Sequence, residues 1–456
     1  MTTTTLALRR TMPLLRFPVL MWGAFSLDAV AMATYFLRDD FSAAARYYLY
    51  IAHLSPIWFI PDAFGFVCLF LFINRCIIQN RSIIAVVVLV WIFLSLGIGY
   101  LFLGNTTALA SSFKMILPVF IGFSFCDAET GTYKKLLLLM TVLFYASIFG
   151  VVVSAYWKAP WLNYTYEAFG VKRQAGRLWW AGSEQRLSGF CEDSTVVSLF
   201  ILVAFVMTSI RKNVLWCLVC GALALYALKL TTSKTTMGVL AIYLMALLVV
   251  RAMPENMRFP TLRMLAAWSY ATILVPIFLI LVFGGTSVGQ KAFLFSLVDR
   301  INNSWQKPFI FMSQLMPVGY ITGCGVGCFN YPMNQFSNLT SYWVPVDNFY
   351  LVTFLMFGLP FVVFMFFVIR ATLLTTDVYK LSLTFVLNIF SVTVADYGPA
   401  SGLLLMSFIF SGVFSKRASF VFQGGKLKRR FALPPNAAAQ GVPAMGGATP
   451  RLSESG

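Results

Sequence analysis

Residues 83–103 read IIAVVVLVWIFLSLGIGYLFL, a run from Ile83 to Leu103 without a single charge. Wound as an α-helix, a run of this length rises about 31 Å, close to the hydrocarbon thickness of a bilayer. Its apolar residues are continuous, whereas a strand of an outer-membrane barrel would alternate every second position. Lys135–Trp157 repeats the pattern. Hydrophobic residues make up 59% of the 456-residue chain and charged ones 11%. A soluble chain of that size cannot bury so much apolar surface, so lipid must cover part of it. The expected fold class is therefore an all-α polytopic membrane protein.

Working outward, apolar segments fall near 17–37, 51–73, 83–103, 110–126, 135–157, 192–210, 213–230, 235–251, 264–284, 346–369, 376–395 and 400–414. These give about twelve crossings, with both termini on one side. The first segment carries Asp28 and is too long for the core of a cleaved signal peptide. Arg9, Arg10 and Arg16 precede it, and alternate connections carry Arg75 and Arg81, Lys134 and Lys135, Arg211 and Lys212, Arg251, Arg258 and Arg263, then Arg370 and Lys380. The tail adds Lys416, Arg417, Lys426, Lys428, Arg429 and Arg430. All of these fall on one face, which the positive-inside rule makes cytoplasmic. The net charge of +18 thus reflects topology, and no basic soluble module points to nucleic acid. Residues 1–422 form the expected membrane domain. Residues 423–456, basic and then rich in Pro, Ala and Gly, read as a disordered cytoplasmic tail lying against anionic lipid headgroups.

Two external connections, about 158–191 and 285–345, exceed what a connector needs, and their Trp and Tyr content argues that they fold. They also hold cations that the topology rule does not explain. Lys158, Lys172, Arg173, Arg177 and Arg186 stand in the first loop against only Glu167 and Glu184. Lys234 sits at the outer end of a helix, and Lys291, Arg300 and Lys307 lie in the second loop. Each alone is compatible with ordinary surface charge. As a group they suit an external anion such as phosphate or pyrophosphate.

Asp347 and Asn348 stand where the second loop enters a helix. They are read either as an N-cap or, for Asp347, as a general base at the membrane surface. Gly323, Gly325 and Gly327 would let backbone approach a ligand. Asp28 and Asp62, inside membrane segments, are either proton-relay groups or members of internal ion pairs. His53, the single histidine, is more in keeping with a helix residue than with a catalytic one. Cys324 and Cys328 are placed to form a disulfide or to remain free. No metal or nucleotide-binding motif is present.

The ordered set Arg186-Leu187-Ser188-Gly189-Phe190, Thr231-Thr232-Ser233-Lys234, Asp299-Arg300 with Trp305, Gly323-x-Gly325-x-Gly327-x-Phe329, Asp347-Asn348-Phe349-Tyr350-Leu351 and Gly358-Leu359-Pro360 resembles the O-antigen ligase and Wzy-type polysaccharide polymerase superfamily over about residues 180–370. The resemblance implies a GT-C-like bundle and an inverting, metal-independent glycosyltransferase without cofactors, working on the periplasmic face of a bacterial inner membrane. Its implied partners are undecaprenyl-pyrophosphate-linked glycan donor and acceptor, membrane lipids and a chain-length regulator. Carried over, the catalytic residues are Asp347, Arg300 and Arg186, and the substrate-binding residues are Lys234, Asn348, Tyr350, Arg177, Arg173, Trp305 and Gly325. Lys234 stands where the family commonly has Arg, and Asp347 where ligases usually have His. The second change turns the expectation toward a repeat-unit polymerase. A glycan ligase and a non-enzymatic flippase or transporter are the alternatives.

Overall fold

The fold is seen in a computed structural model that describes residues 26–168, 171–181, 184–286, 295–416, 420–423 and 426–429. Arg9, Arg10, Arg16, Lys291, Arg417, Arg430 and the rest of the tail expected to be disordered lie outside those residues. The helices in order are α1 (Leu27–Asp40), α2 (Ser42–Ile51), α3 (Ile60–Phe72, extended by a π-helical turn to Gln79), α4 (Ile83–Leu103), α5 (Thr106–Ile116), α6 (Pro118–Ser124) and α7 (Lys134–Tyr156). Two antiparallel hairpins follow, β1 (Thr165–Ala168) with β2 (Val171–Gln174) and β3 (Trp180–Ala181) with β4 (Glu184–Gln185). Next come α8 (Ser194–Ser209), α9 (Val214–Leu230), α10 (Lys234–Ala252), α11 (Glu255–Trp268) and α12 (Leu274–Phe283). The second long connection holds α13 (Phe295–Asp299), α14 (Lys307–Leu315), α15 (Gly319–Thr322) and α16 (Tyr331–Phe336). The chain then returns through α17 (Phe349–Phe357), α18 (Leu359–Leu374), α19 (Val378–Phe390) and α20 (Ala400–Phe410).

Among the described residues, six helical segments are long and apolar enough to cross a bilayer. They are Ser55–Gln79, Ile83–Leu103, Thr106–Ser124, Lys134–Tyr156, Lys234–Ala252 and Glu255–Phe283, and five shorter apolar helices pack with them. The chain is a multi-pass α-helical membrane protein. Some segments expected as single helices are broken, for local reasons. The run 346–369 divides at Gly358, whose φ of 63° ends α17, and Pro360 starts α18 at a position where a missing N–H costs nothing. Pro118 divides the fourth segment in the same way. The second segment begins at Ser55 with a 3-10 turn that runs into α3, and α2 before it is a separate helix. At the start of the segment expected to be disordered, 423–456, Lys426–Arg429 pairs with Phe420–Gln423 as a short hairpin.

Burial sorts the helices. Every residue of α8 from Val196 to Ser209 is buried, with Phe36 edge-on to Phe200 and Phe144 against Phe205. In contrast Val87, Val90, Leu215, Leu281 and Phe366 are more than half exposed, an apolar exterior that only lipid can cover. The two ends of the bundle are tied differently. At one end Lys380 donates to Phe125 O at 2.6 Å and Asn80 to Phe414 O at 3.2 Å, while Asp377 accepts from Thr130. At the other, the hairpins and the short helices α13–α16 sit together.

A glycine clasp fixes that second group. Cys324 N donates to Leu355 O at 2.8 Å, Gly325 N to Met356 O at 3.1 Å and Val326 N to Ser95 O at 2.9 Å. The run 323–327 thereby joins α4 to the end of α17, and Cys324 and Cys328 close it as a disulfide. A side chain at Gly325, whose φ is 89°, would collide with the backbone of Gly99. Gly325→Ala is therefore expected to destabilise the protein by more than about 2 kcal/mol, through clash and left-handed strain together. Gly97→Ala, at a helical position with nothing within 4 Å, should be neutral or slightly stabilising. Thermal unfolding in detergent compares the two.

Candidate functional site

The start of α17 settles which of two polar residues caps the helix. Asn348 Oδ1 accepts from Leu351 N at 2.9 Å, and its Nδ2 donates to Val392 O at 2.7 Å. Capping thus belongs to Asn348, and the carboxylate of Asp347 is left for other partners. Its Oδ1 accepts from Trp305 Nε1 at 2.7 Å, and its Oδ2 lies 3.1 Å from Arg300 Nη1. Arg300 and Trp305 both reach it because residues 300–306 are π-helical, so positions five apart come round to the same face. Arg300 Nη1 also donates to Thr393 O at 3.2 Å. Its Nε and Nη2 make no hydrogen bond among the described residues.

Thr393 carries the site across to the next helices. Its hydroxyl meets Thr235 Oγ1 at 3.0 Å, one residue from Lys234, which is exposed at the start of α10. Thr232, two residues before Lys234, accepts from Arg186 Nε at 2.8 Å. Thr232 has a φ of 56°, a strained conformation for a β-branched residue. Trp179 lies between two guanidiniums, with Arg186 4.0 Å and Arg177 4.6 Å from its ring centroid. The arginine Nη groups of Arg186 have no hydrogen-bond partner among the described residues and point to an anion-accepting use.

The electrostatics agree with that geometry. Burial lowers the pKa of Arg186, and the nearby Arg300 and Arg177 add to the effect, while Asp193 opposes it. Burial raises Asp347 above the usual carboxylate range, with Arg300 and the Trp305 N–H holding it back. The result is a carboxylate more basic than usual beside Arg300, which together with Arg177 repels Arg186. Such a cluster favours a polyanion and a proton acceptor side by side.

Of the residues expected at the site, Asp347 meets Arg300 and Trp305, Arg186 and Arg177 gather on Trp179, and Lys234 is exposed in the turn whose Thr232 bonds Arg186. Asn348 joins as the cap, and Trp305 is buried, so it supports Asp347 and offers no face for stacking. Three residues depart from expectation. Tyr350 is buried in the bundle, where its hydroxyl donates to Asn388 Oδ1. Gly325 spends its N–H on the clasp, so it cannot cradle a ligand. Arg173 bonds the hydroxyl of Tyr331 and stacks on its ring at 4.6 Å, in a different neighbourhood. His53 is exposed after α2. Asp28 pairs with Arg75, and Asp62 with Arg38 at 2.8 Å and Lys114 at 3.1 Å, so both serve internal ion pairs. Thr232, Thr393 and Trp179 were not singled out as site residues. The first and third lie beside predicted cations, but Thr393 is distant in sequence and only the fold brings it in.

An apolar cleft of about 710 Å³, lined by Trp91, Ile116, Phe349, Phe361, Tyr397 and Phe410 among others, reaches the start of α17. Phe349 is two residues from Asp347. Among the described residues no three His, Cys, Asp or Glu side chains gather to hold a metal ion. No family model, curated protein or solved structure matches the chain.

Inorganic pyrophosphate should raise the unfolding temperature of the reconstituted protein at low ionic strength. Arg186→Gln and Arg300→Gln should each weaken its apparent affinity roughly tenfold, the worth of one charge-assisted contact, and Lys234→Gln less because that side chain is exposed. Calorimetric titration of the variants checks the order.

Proposed function

We propose that the protein is a glycosyltransferase that polymerises undecaprenyl-pyrophosphate-linked oligosaccharide repeats into a bacterial surface or extracellular polysaccharide. The observation that carries this reading is the half-buried carboxylate of Asp347, raised in pKa, with Arg300 on one oxygen, Trp305 on the other and Arg186 close enough to Arg300 to be repelled by it. In this reading the bundle has twelve crossings in a GT-C-like arrangement, placed in the inner membrane with both termini cytoplasmic and the site periplasmic. A chain-length regulator is its expected partner.

The chemistry follows from where the groups stand. The pyrophosphate of the growing chain lies against the free N–H groups of Arg186 and Arg300, and its polyprenyl tail enters the apolar cleft beside Phe349. A hydroxyl of the incoming repeat attacks the anomeric carbon from the face opposite the pyrophosphate. The new C–O bond forms as the bond from that carbon to the pyrophosphate oxygen breaks, and configuration inverts in the single displacement. The hydroxyl proton goes to Asp347, and the leaving charge is met by the arginines. Asp28 and Asp62, the residues on which a proton-driven transporter would rest, are held in ion pairs with Arg75 and Arg38.

Purified protein in detergent, with no ion gradient, should lengthen a lipid-linked repeat and invert the anomeric centre. Asp347→Ala should lower the rate by about 10²–10⁴, the usual worth of a general base. If the variant retains full activity, the role given to Asp347 is wrong. A mutant strain lacking the protein should accumulate single repeats; long chains stranded on the carrier would mark a ligase instead.

The same assay reads Trp305. The base works only when ionised, so activity falls as pH drops through the carboxyl pKa. Trp305→Phe removes a hydrogen bond to the ionised form and raises that pKa further. The acid limb of the pH–rate profile should therefore move to higher pH, with the alkaline plateau less affected.

A further inference from the structure

A second cationic pocket lies apart from Asp347, built where four elements meet. Arg46, on α2, places its guanidinium 3.6 Å from the ring centroid of Trp58 and 4.8 Å from that of Tyr166. Tyr166, on β1, is the direct cross-strand partner of Arg173 on β2. The two side chains therefore share one face of the hairpin. Arg173 in turn stacks on Tyr331 at the start of α16.

The charges in this pocket do not balance. Arg38 next to it is neutralised by Asp39 and Asp62, with Lys114 also on Asp62. Arg46 and Arg173 make no ion pair among the described residues, and the Nε of each is buried without a hydrogen bond. Glu192 is close enough to interact with both Arg173 and Arg46, one carboxylate against two guanidiniums, yet it forms no ion pair with either. Burial lowers the Arg46 pKa to about 10, and Arg173 and Arg38 add their repulsion. Buried polar hydrogens are nearly always satisfied in folded proteins, so two orphan guanidinium N–H groups at one place mark a missing acceptor.

We infer that this pocket binds an oxyanion carried on a sugar, a carboxylate or a phosphate of the glycan, outside the reacting centre. Two guanidinium forks supply the planar donors that a carboxylate or phosphate accepts. The rings of Trp58, Tyr166 and Tyr331 give the pocket the flat apolar walls against which a pyranose packs, so a saccharide fits it better than a free inorganic ion. The inference goes beyond the transfer reaction and does not require Asp347 to be a base. It assigns the pocket to recognition of acidic repeats at a distance from the bond being made.

Calorimetric titration of the full chain in nanodiscs tests it with three probes: a hyaluronan tetrasaccharide, glucose 1-phosphate and the neutral chitotetraose. At least one of the two acidic probes should bind, and chitotetraose should bind at least tenfold more weakly. Which acidic probe binds identifies the source of the oxyanion. Arg46→Gln and Arg173→Gln should each weaken that binding roughly tenfold. Arg300→Gln, in the other cluster, should leave it within twofold, so this result is independent of whether the transfer reaction is assigned correctly. Arg46→Lys keeps the charge without the fork and should recover binding only in part, which guards against a folding defect in the glutamine variant. Binding that ignores the charge of the sugar, or that survives both Arg46→Gln and Arg173→Gln, overturns the proposal.

Discussion

A charge placed inside an apolar bundle has to find a partner, and among the described carboxylates Asp28, Asp39 and Asp62 each have an arginine while others hold only hydrogen bonds. Asp28 pairs with Arg75; Asp62 and Asp39 share Arg38; Asp40 takes a hydrogen bond from Ser147; Asp396 takes one from Ser391; Asp377 accepts from Thr130. Removing one member of such a pair would leave a buried charge without compensation, at a cost of about 3–5 kcal/mol. This bookkeeping makes the exceptions informative. Where cations are left over, at Arg186 and at Arg46 with Arg173, the fold holds guanidinium groups that make no ion pair among the described residues.

The scaffold around those exceptions is held by backbone more than by side chains. The clasp at 323–327 ties α4 to α17 through three main-chain hydrogen bonds, and this fixes the height at which α17 begins. Asn348 then caps α17 and bonds Val392, which locks the neighbouring turn after α19. Thr393 belongs to that turn and accepts from Arg300. Asp347 is therefore positioned from both sides by residues that do not themselves carry charge.

Much of the fold was legible in the sequence because apolar length is a coarse and robust signal. Ile83–Leu103 was read with the boundaries the structure has, and the boundaries of α7–α10 fall within a few residues of those expected. Breaks were harder to read. Gly358 and Pro118 interrupt runs whose hydropathy is continuous, and only their backbone demands reveal the interruption. At the candidate site, the excess of cations in the two long connections singled out Arg186, Arg177 and Arg300, and the fold links Arg186 with Arg177 at Trp179 and with Arg300 electrostatically. Arg173 shared the same loop yet stacks on Tyr331 from the β1–β2 hairpin, whereas Arg177 and Arg186 lie beyond that hairpin, at Trp179. Gly325 and Tyr350 misled for a simpler reason: their motif positions serve packing, and packing roles leave the same mark on a sequence as binding roles.

The central claim is that Arg186, Arg300 and Lys234 form one anion site against Asp347. Cryo-electron microscopy of the protein in nanodiscs with undecaprenyl pyrophosphate tests it most directly. The account predicts density for the pyrophosphate between Arg186 and Arg300, within hydrogen-bond reach of both, with the chain running toward Phe349. Pyrophosphate density at the opposite end of the bundle, near Lys380 and Arg251, would contradict it.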